Sequence, residues 1–278
     1  MNMSLLQSVV MGLVSGLAEL LPISAEAHRT LLRTVFGIGQ EDALFRLFAH
    51  LACLISLIAF HRGELLRLRR ANHLMKIPPR RRKHPPEMAS VYTIRLLKTA
   101  GILLIVGKIF TMQLSFIGDQ LQYLAAALVL NGILLLIPSL VRVGNKDSRN
   151  MPRLDGLLMG LGAGLSVIPG VSQVGATVSV GTARGVDRQY ALQFAYFLMI
   201  PGLIVDLIFD CVALAGGGMA VFSGKGLLIA LFGAVFAWVG SWIAQRIMGF
   251  LSRQSGFSGF AYYSWGAALL CFILFLTV

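Results

Sequence analysis

The chain carries one short apolar motif twice, once in each half. Residues 11–24 read MGLVSGLAELLPIS, and residues 159–172 read MGLGAGLSVIPGVS. In both copies a proline interrupts an otherwise helix-like apolar segment, which frees backbone polar groups. Paired interrupted segments in corresponding halves of a membrane protein indicate a binding site near the membrane midplane. At a spacing of 148 residues, the motif aligns Met11 with Met159, Gly12 with Gly160, Gly16 with Gly164, Leu17 with Leu165 and Ser24 with Ser172.

The composition places the chain in a membrane. Hydrophobic residues make up 56% of the 278 residues and charged residues only 13%, whereas a soluble domain is about a quarter charged. Several apolar segments approach the roughly 20 residues that a helix needs to cross the hydrocarbon core. The sequence therefore predicts an all-α polytopic membrane protein, with one integral membrane domain over residues 1–278. Its six transmembrane helices are expected at about 43–60, 94–114, 121–141, 190–214, 226–246 and 257–277.

Two further apolar segments, about 3–34 and 154–182, contain the repeated motif. The first is broken at Pro22 and the second at Pro169 and Gly170. Freed backbone groups at membrane depth must be satisfied inside the protein or by a water-filled cavity. We therefore predict that each segment is a re-entrant helix-loop-helix hairpin, which enters and leaves the membrane on one side.

The distribution of lysine and arginine orients these elements. If the six helices alternate and the hairpins do not cross, most of the 24 Lys and Arg residues fall on one side, above all those of the basic loop 61–93. The positive-inside rule makes that side cytoplasmic and places both termini outside. The hairpins then enter from opposite sides, so the two repeats, about 3–114 and 154–246, have inverted topology. In a membrane protein, the net charge of +12 indicates this topology and an attraction to anionic lipids. We therefore do not expect a nucleic-acid partner.

The two broken tips concentrate polar side chains at membrane depth, where ionisable groups are costly and usually functional. Residues 19–29 read ELLPISAEAHR, and residues 169–177 read PGVSQVGAT. Glycine lets a backbone approach a ligand closely, and a helix N-terminus offers N–H groups and a positive dipole end to an anion. The tips therefore predict a phosphate site, for which the candidate ligands are Ser24, Gly170, Gln173, Gly175 and Thr177.

Acid–base residues accompany these candidate phosphate ligands. His28 is a candidate nucleophile or general acid/base, because imidazole titrates near neutrality. Glu19 or Glu26 is a candidate to orient that imidazole, to act as a base, or to hold a divalent cation, Mg²⁺ or Ca²⁺. Ser172 is the third candidate catalytic residue, through its hydroxyl.

Structural roles compete with some of these assignments. For Ser24 and Thr177, hydrogen bonds to local backbone groups are an equally supported alternative. Arg29 and Arg33 fit side chains that extend to the membrane interface. Close helix packing is the better-supported role for the paired small residues Gly12 and Gly16, and Gly160 and Gly164.

On these two motifs the chain resembles the bacterial undecaprenyl-diphosphate phosphatase family of the bacitracin-resistance type. The signatures of that family read roughly E-G-x-T-E-F-L-P-I-S-S-T-G-H and P-G-x-S-R-S-G-A-T. Glu19, Pro22, Ser24 and His28 match the first signature, and Pro169, Gly170, Ser172, Gly175 and Thr177 match the second. The resemblance covers nearly the whole chain and implies the same inverted-repeat fold with re-entrant hairpins.

The departures from the family pattern fall on polar positions. Gln173 replaces an arginine, and an amide cannot supply the bidentate cationic fork that arginine offers to a phosphoryl group. Arg29 or Arg46 is a candidate to take over that cationic role, and Glu26 a candidate to replace a missing carboxylate. The other departures are Ser15 for glutamate, Ala25 for serine, Glu26 for threonine, Ala27 for glycine, Val174 for serine and Arg46 for glutamate.

The resemblance implies a hydrolase that converts undecaprenyl diphosphate to the monophosphate at the outer face of the bacterial cytoplasmic membrane, which recycles the lipid carrier of cell-wall synthesis. His28 would be its nucleophile or proton shuttle. A transporter is the alternative, because inverted repeats with a midplane site are a common transporter design. Such a protein would bind or flip undecaprenyl phosphate, or a related anionic lipid, without hydrolysis. A regulatory paralogue and a homodimer are also left open.

Overall fold

The computed structural model describes residues 3–39, 42–111, 118–216, 224–254 and 257–277, which are almost entirely helical. Short 3₁₀ turns lie at Pro79–Arg81 and Leu165–Val167. The α-helices are α1 (Leu5–Leu20), α2 (Ala25–Phe36), α3 (Ala43–Phe60), α4 (Arg62–Lys76), α5 (Met88–Thr111), α6 (Leu121–Leu140), α7 (Arg153–Gly164), α8 (Gln173–Ala183), α9 (Arg188–Gly216), α10 (Gly224–Gln254) and α11 (Ser258–Thr277).

Six of these helices are long and apolar enough to cross a membrane: α3, α5, α6, α9, α10 and α11. Their mean hydropathy lies between 1.6 and 2.2, and they expose large apolar side chains such as Ile102, Val129 and Leu269 on their outer surfaces. Such surfaces suit contact with lipid tails, because apolar side chains have no polar groups that would need a hydrogen-bond partner in the hydrocarbon core. The six predicted spans are therefore confirmed as helices. α5 begins six residues before its predicted start, α10 ends eight residues after its predicted end, and α9 extends two residues further at each end. Positions 112–114 of the second predicted span lie outside the described residues.

The two motif-bearing segments are broken where the sequence predicts. α1 ends at Leu20, and the chain restarts as α2 after Ser24, whose side chain accepts a hydrogen bond from the Ala27 amide. In the second copy α8 starts after Ser172, whose side chain accepts from the Gly175 amide. Serine at an N-cap satisfies an N–H group that the first turn of a helix leaves open. The aligned serines of the repeat therefore start equivalent half-helices. The re-entrant path of each segment and the membrane side on which it enters stay predictions.

Three of the four paired glycines of the repeat allow close helix packing, as predicted, whereas a Cβ atom at Gly164 would lie 3.6 Å from the Leu103 carbonyl oxygen, an ordinary contact. On α1, a Cβ atom at Gly12 would lie 2.2 Å from the Gly233 carbonyl oxygen of α10, and one at Gly16 would lie 2.0 Å from that of Ala237. On α7, a Cβ atom at Gly160 would lie 2.6 Å from the Ala100 Cα atom of α5. The first helix of each repeat thus packs against the last helix of the other repeat: α1 contacts α10, and α7 contacts α5. The two repeats therefore interlock.

The two chain breaks meet at the centre of the protein. The Gly170 amide donates to the Ser24 hydroxyl (3.1 Å), and the Ser172 hydroxyl donates to the Leu21 carbonyl (3.3 Å). Asn131 of α6 is fully buried and ties both breaks together, since it donates to the Pro22 carbonyl (3.2 Å) and accepts from the Ser172 amide (2.9 Å). The backbone groups that the prolines release are thereby satisfied inside the protein.

The basic segment 61–93 is partly helical. α4 occupies its first half, and the 3₁₀ turn at Pro79–Arg81 lies within the basic run that follows. Near the start of α7, the fully buried carboxylate of Asp155 accepts from Lys146 (2.7 Å) and Arg184 (2.9 Å). These contacts fix the base of the second broken segment to the loop before it.

Candidate functional site

A cavity of about 490 Å³ lies beside the two chain breaks. That size is within the range of small-molecule sites, about 300–1,000 Å³. Its lining combines both motif tips with side chains of α3, α5 and α9 and with the loop before α6. The polar lining residues are Glu19, Ser24, Glu26, Arg29, Arg33, Arg46, His50, Lys108, Asp119, Ser166, Ser172, Gln173, Asp206 and Asp210.

Two helix N-termini face this cavity. Ser24 and Ala25 begin α2, Ser172 and Gln173 begin α8, and all four residues line the cavity. The N-terminus of a helix carries a partial positive charge and unpaired N–H groups, which favour an anion. Gly170, at φ +108°, makes the turn before α8 in a conformation that other residues rarely adopt. A Cβ atom there would also lie 2.5 Å from that of Ala127. The fold therefore builds an anion-favouring wall from the repeated motif.

Arg29 lies between two carboxylates of the first motif. Its guanidinium donates to Glu26 (2.7 Å) and lies 3.6 Å from a carboxylate oxygen of Glu19. Arg29 is only 5% exposed although it lines the cavity. This burial favours the cationic role over the alternative in which the side chain of Arg29 extends to the membrane interface.

A second charged cluster joins α3 to α9. Asp210 is 2% exposed, and its two oxygens accept from Arg46 Nε and from His50 Nδ1, the latter at 2.7 Å. Arg46, a position where the chain reverses the family's charge, thus has a buried carboxylate as its partner. Asp210 lies 164 residues from Arg46 in sequence.

The remaining cations of the cavity are also paired. Arg33 binds Asp119 (2.8 Å), and Lys108 binds Asp206. Within the lining, every Lys or Arg therefore has a carboxylate partner, and the carboxylates outnumber these cations by five to four. An incoming anion must either exchange with carboxylates or enter with a further cation, because unpaired charges are costly in a partly buried site.

Gln173 presents a buried amide to this cavity. It is 8% exposed, and its Nε2 atom is buried without a hydrogen-bond partner among the described residues. Its side chain packs against Gly202 of α9, where a Cβ atom would lie 2.8 Å from the Gln173 amide oxygen. A buried donor without a partner costs about 1–3 kcal/mol, and a ligand oxygen can recover it. Gln173 can therefore donate to a phosphate, although it carries no charge.

Three candidate residues lie outside the cavity lining. Thr177 is fully buried and donates to the Gln173 carbonyl (2.7 Å), and the Gly175 amide donates to the Ser172 hydroxyl (3.2 Å). His28 hydrogen-bonds through Nδ1 to the Ser24 carbonyl (2.6 Å) and through Nε2 to the Tyr263 hydroxyl (2.7 Å). The tertiary structure brings the other candidates together: Glu19, Ser24, Glu26, Arg29, Arg46, Gly170, Ser172 and Gln173.

Sequence reasoning missed the site residues that lie inside membrane spans. His50, Lys108, Asp206 and Asp210 all line the cavity but belong to long apolar helices. Their signal was present in the sequence, since an ionisable side chain within a transmembrane segment marks a functional position. Asp206 and Asp210 are moreover one turn apart, so they share a face of α9.

The divalent cation stays a prediction. Among the described residues, no group of three or more His, Cys, Asp and Glu side chains is arranged to hold a metal ion. Glu19 and Glu26, the predicted metal ligands, both face the guanidinium of Arg29. A cation at this position would need further oxygen ligands, which a phosphate can supply.

The chain matches known proteins over most of its length. A family model described as bacitracin resistance protein BacA matches residues 8–270. The chain is 31% identical to undecaprenyl-diphosphatase 1 of Shouchella clausii, with 98% of this chain and 96% of that protein covered. It is 27% identical to an undecaprenyl-diphosphatase of Methanobrevibacter smithii, with 98% of each covered. A third relative, an undecaprenyl-diphosphatase of Nocardioides sp., is 33% identical over 74% of each chain.

Proposed function

This chain belongs to the bacitracin resistance protein BacA family, and on that basis we propose that it is a multi-pass membrane hydrolase that converts undecaprenyl diphosphate to undecaprenyl phosphate. Its full-length relatives carry the name undecaprenyl-diphosphatase. The reaction would return a lipid carrier to the monophosphate form that cell-wall synthesis uses.

The observation that carries this proposal is the cavity in which two half-helices begin beside the side chains of Arg29 and Arg46. The N-termini of α2 and α8 and the side chains of Arg29 and Arg46 surround one space. A diphosphate concentrates negative charge, and a hydrolase must stabilise further charge on the phosphoryl oxygens in the transition state. The Ser24 and Ser172 hydroxyls and the Gln173 amide supply neutral hydrogen bonds to the same anion. The apolar surfaces of the surrounding helices suit the polyprenyl tail.

Arg29 is our candidate for the cationic clamp that Gln173 cannot provide. Its guanidinium is buried, lines the cavity and is held by Glu19 and Glu26. A guanidinium has five N–H donors, and two of them can bind a phosphate in parallel. One side chain can therefore bind both the carboxylates and the ligand. Glu19 and Glu26 are then positioning residues, which orient the guanidinium. Arg46 of α3 is a second cation in the cavity lining.

We propose that the cavity opens toward the outside of the bacterial cytoplasmic membrane. Gly118 and Asp119 line it, and they belong to the loop that the positive-inside rule places outside. The basic segment 61–93 contributes no residue to the described lining. In this orientation both termini lie outside, and a diphosphate head group in the outer leaflet reaches the site without crossing the membrane.

The predicted divalent cation and further partners remain proposals. Five carboxylates in the lining exceed the four Lys and Arg side chains, so a Mg²⁺ or Ca²⁺ ion that accompanies the diphosphate would balance the charge. Glu19 and Glu26 are the residues that would hold it, and it would supply neutralisation of phosphoryl oxygens. Anionic lipids would bind the basic surface of α4, and a homodimer is the further predicted assembly.

Phosphate release from undecaprenyl diphosphate by the purified protein in detergent tests the proposal. We expect multiple turnovers in the presence of Mg²⁺ or Ca²⁺ and slower turnover after chelation. Gln173→Arg, which adds a cation to the same wall, should retain or increase the rate. No release by either protein would contradict the enzyme proposal. Lipid translocation in liposomes under those conditions would instead favour the carrier.

A further inference from the structure

One ion pair of the cavity exposes its positive partner more than its negative one. Arg46 of α3 is paired with Asp210 of α9, and both residues line the cavity. The side chain of Arg46 is 29% exposed, whereas that of Asp210 is only 3% exposed. We propose that Arg46 binds the diphosphate group of the substrate and that Asp210 is the positioning residue for its guanidinium, an inference that rests on the proposed function.

The other Lys and Arg pairs described in the lining have the opposite arrangement, because the carboxylate is the more exposed partner in each. The difference is smallest for Lys108 and Asp206, whose side chains are 12% and 19% exposed. The pairs concerned are Arg29 with Glu19 and Glu26, Arg33 with Asp119, and Lys108 with Asp206. Among the described Lys and Arg pairs of the lining, the pair of Arg46 with Asp210 therefore differs in presenting mainly positive charge to a ligand.

Both oxygens of Asp210 are occupied, which fixes the orientation of the carboxylate. One oxygen accepts from Arg46 Nε, and the other lies 2.7 Å from His50 Nδ1. Since an ionised carboxylate only accepts hydrogen bonds, Nδ1 of His50 is the donor. Arg46 thus contacts Asp210 through Nε, and its other N–H donors belong to the two terminal nitrogens. Two such donors can bind a phosphate in parallel.

The burial of Asp210 keeps Arg46 in one position before a ligand binds. A buried carboxylate that loses its cationic partner is strongly destabilising, so we expect the pair to persist without a ligand. An unpaired arginine side chain has many rotamers, and ordering them opposes ligand binding. A guanidinium that is already ordered avoids much of this cost. Asp210 would therefore strengthen diphosphate binding without contacting the ligand itself.

The two arginines of the site have different surroundings, so we expect different effects on turnover. Arg29 is paired with two carboxylates that are both more exposed than its guanidinium, and it is our candidate for the transition-state clamp. Arg46 is the more exposed of the two, which suits contact with the diphosphate already in the bound substrate. An interaction made equally in the substrate and in the transition state changes KM and leaves kcat nearly unchanged.

The affinity for a non-hydrolysable diphosphonate tests the role of Arg46. Farnesyl methylenediphosphonate carries a polyprenyl chain and two phosphorus groups, and isothermal titration calorimetry measures its Kd for the full-length protein in detergent at a fixed Mg²⁺ concentration. Arg46→Gln should raise Kd by about 10- to 100-fold, the range for a lost hydrogen bond to a charged group. Arg46→Lys keeps the charge without the planar fork and should have an intermediate Kd.

Lys98→Gln is the matched control for the loss of a positive charge. Lys98 is exposed on α5 and does not belong to the described cavity lining. Its removal lowers the net charge of the protein by the same amount as Arg46→Gln but leaves the site intact. The Kd for the diphosphonate should therefore equal that of the wild-type protein.

A double variant tests whether Asp210 acts through Arg46. Asp210→Asn should raise Kd by about threefold or more, within the usual range of coupling between contacting residues. It should have no further effect when Arg46→Gln is also present. Asp210→Glu, which keeps the charge, should retain part of the affinity. In steady-state phosphate release, Arg46→Gln and Asp210→Asn should each raise KM by a larger factor than they lower kcat, which a general loss of structure would not produce.

Monodispersity and thermal unfolding in detergent identify variants that fail to fold. Arg46→Lys preserves the cation that Asp210 needs, so it tests the binding role if Arg46→Gln does not fold. An unchanged Kd in the folded variants of Arg46 would overturn that role. An equal effect of Asp210→Asn with and without Arg46 would overturn the positioning role of Asp210. A wild-type protein that binds the diphosphonate but releases no phosphate from undecaprenyl diphosphate would contradict the proposed hydrolase and not this binding site.

Discussion

Arg29 is our candidate to compensate for the uncharged side chain of Gln173. The family pattern places an arginine where this chain has Gln173, and the tertiary structure brings Arg29 into the same cavity. Arg29 and Gln173 belong to different repeats but lie in equivalent half-helices, since Gln173 begins α8 and Arg29 is the fifth residue of α2. We therefore propose that the cationic function lies in the first motif in this chain, beside Glu26, which is itself a departure from the family pattern.

Removal of the Arg29 guanidinium should impair catalysis strongly. In Arg29→Gln, Glu19 and Glu26 lose their shared partner, and the phosphoryl oxygens lose a bidentate donor. Loss of one such transition-state donor lowers kcat by about 100- to 1,000-fold, and we expect an effect of that order in phosphate release. Arg33→Gln is the comparison variant, because Arg33 also lines the cavity but is paired with Asp119, a carboxylate that is 68% exposed, and not with Glu19 or Glu26. Equal losses in the two variants would contradict the clamp role.

The charge at position 173 offers a complementary test. If the clamp requires a cation that either position can supply, the double variant Arg29→Gln with Gln173→Arg should recover at least part of the kcat/KM that Arg29→Gln loses. Steady-state kinetics of the single and double variants measure this coupling. A double variant no more active than Arg29→Gln alone would show that the position of the cation, not its charge, is required.

The packing of α1 on α10 depends on residues without side chains. Backbone approaches backbone at Gly12 and Gly16, and the equivalent contact of α7 on α5 uses Gly160. These contacts hold the broken half-helices in place, so the cavity wall depends on them. Close packing of small residues is the principal source of helix association where both the helix surface and the lipid are apolar.

A single added methyl group at this interface should destabilise the protein. Gly16→Ala places a carbon 2.0 Å from the Ala237 oxygen, and overpacking costs about 1–3 kcal/mol. Gly249→Ala is the control on α10, since a Cβ atom there meets no other atom within 4 Å. We expect a lower thermal midpoint in detergent for Gly16→Ala and an unchanged or higher one for Gly249→Ala. Equal midpoints would contradict the role of Gly16 in packing.

The orientation that we predict for the whole molecule rests on its charge and would link the cavity to one membrane face. The positive-inside rule places the basic segment 61–93 in the cytoplasm, whereas the cavity is lined by Gly118 and Asp119 of the predicted outer loop. Site and basic surface would therefore face opposite sides, as a hydrolase acting on the outer leaflet requires.

Labelling of introduced cysteines with a membrane-impermeant maleimide measures this orientation. In a background with Cys53, Cys211 and Cys271 replaced by alanine, Gln120→Cys should react in intact bacterial cells. Lys83→Cys should react only after the cells are permeabilised. Both positions are exposed in the folded protein, so burial does not account for a difference. The reverse pattern would place the cavity on the cytoplasmic side.

Local sequence was sufficient to predict the transmembrane helices, the two chain breaks and the packing glycines. Apolar length, proline and glycine act on neighbouring residues, and their effects are readable along the chain. Eight of the predicted site residues also meet at one cavity.

Tertiary structure alone decided which charged residues pair: Asp210 with Arg46 and His50, and Lys108 with Asp206. These partners lie about 100 residues or more apart, and only the packing of α3 and α5 against α9 brings their charges together. The surroundings of His28 and Arg29 were decided in the same way, since burial depends on which helix covers each face of α2.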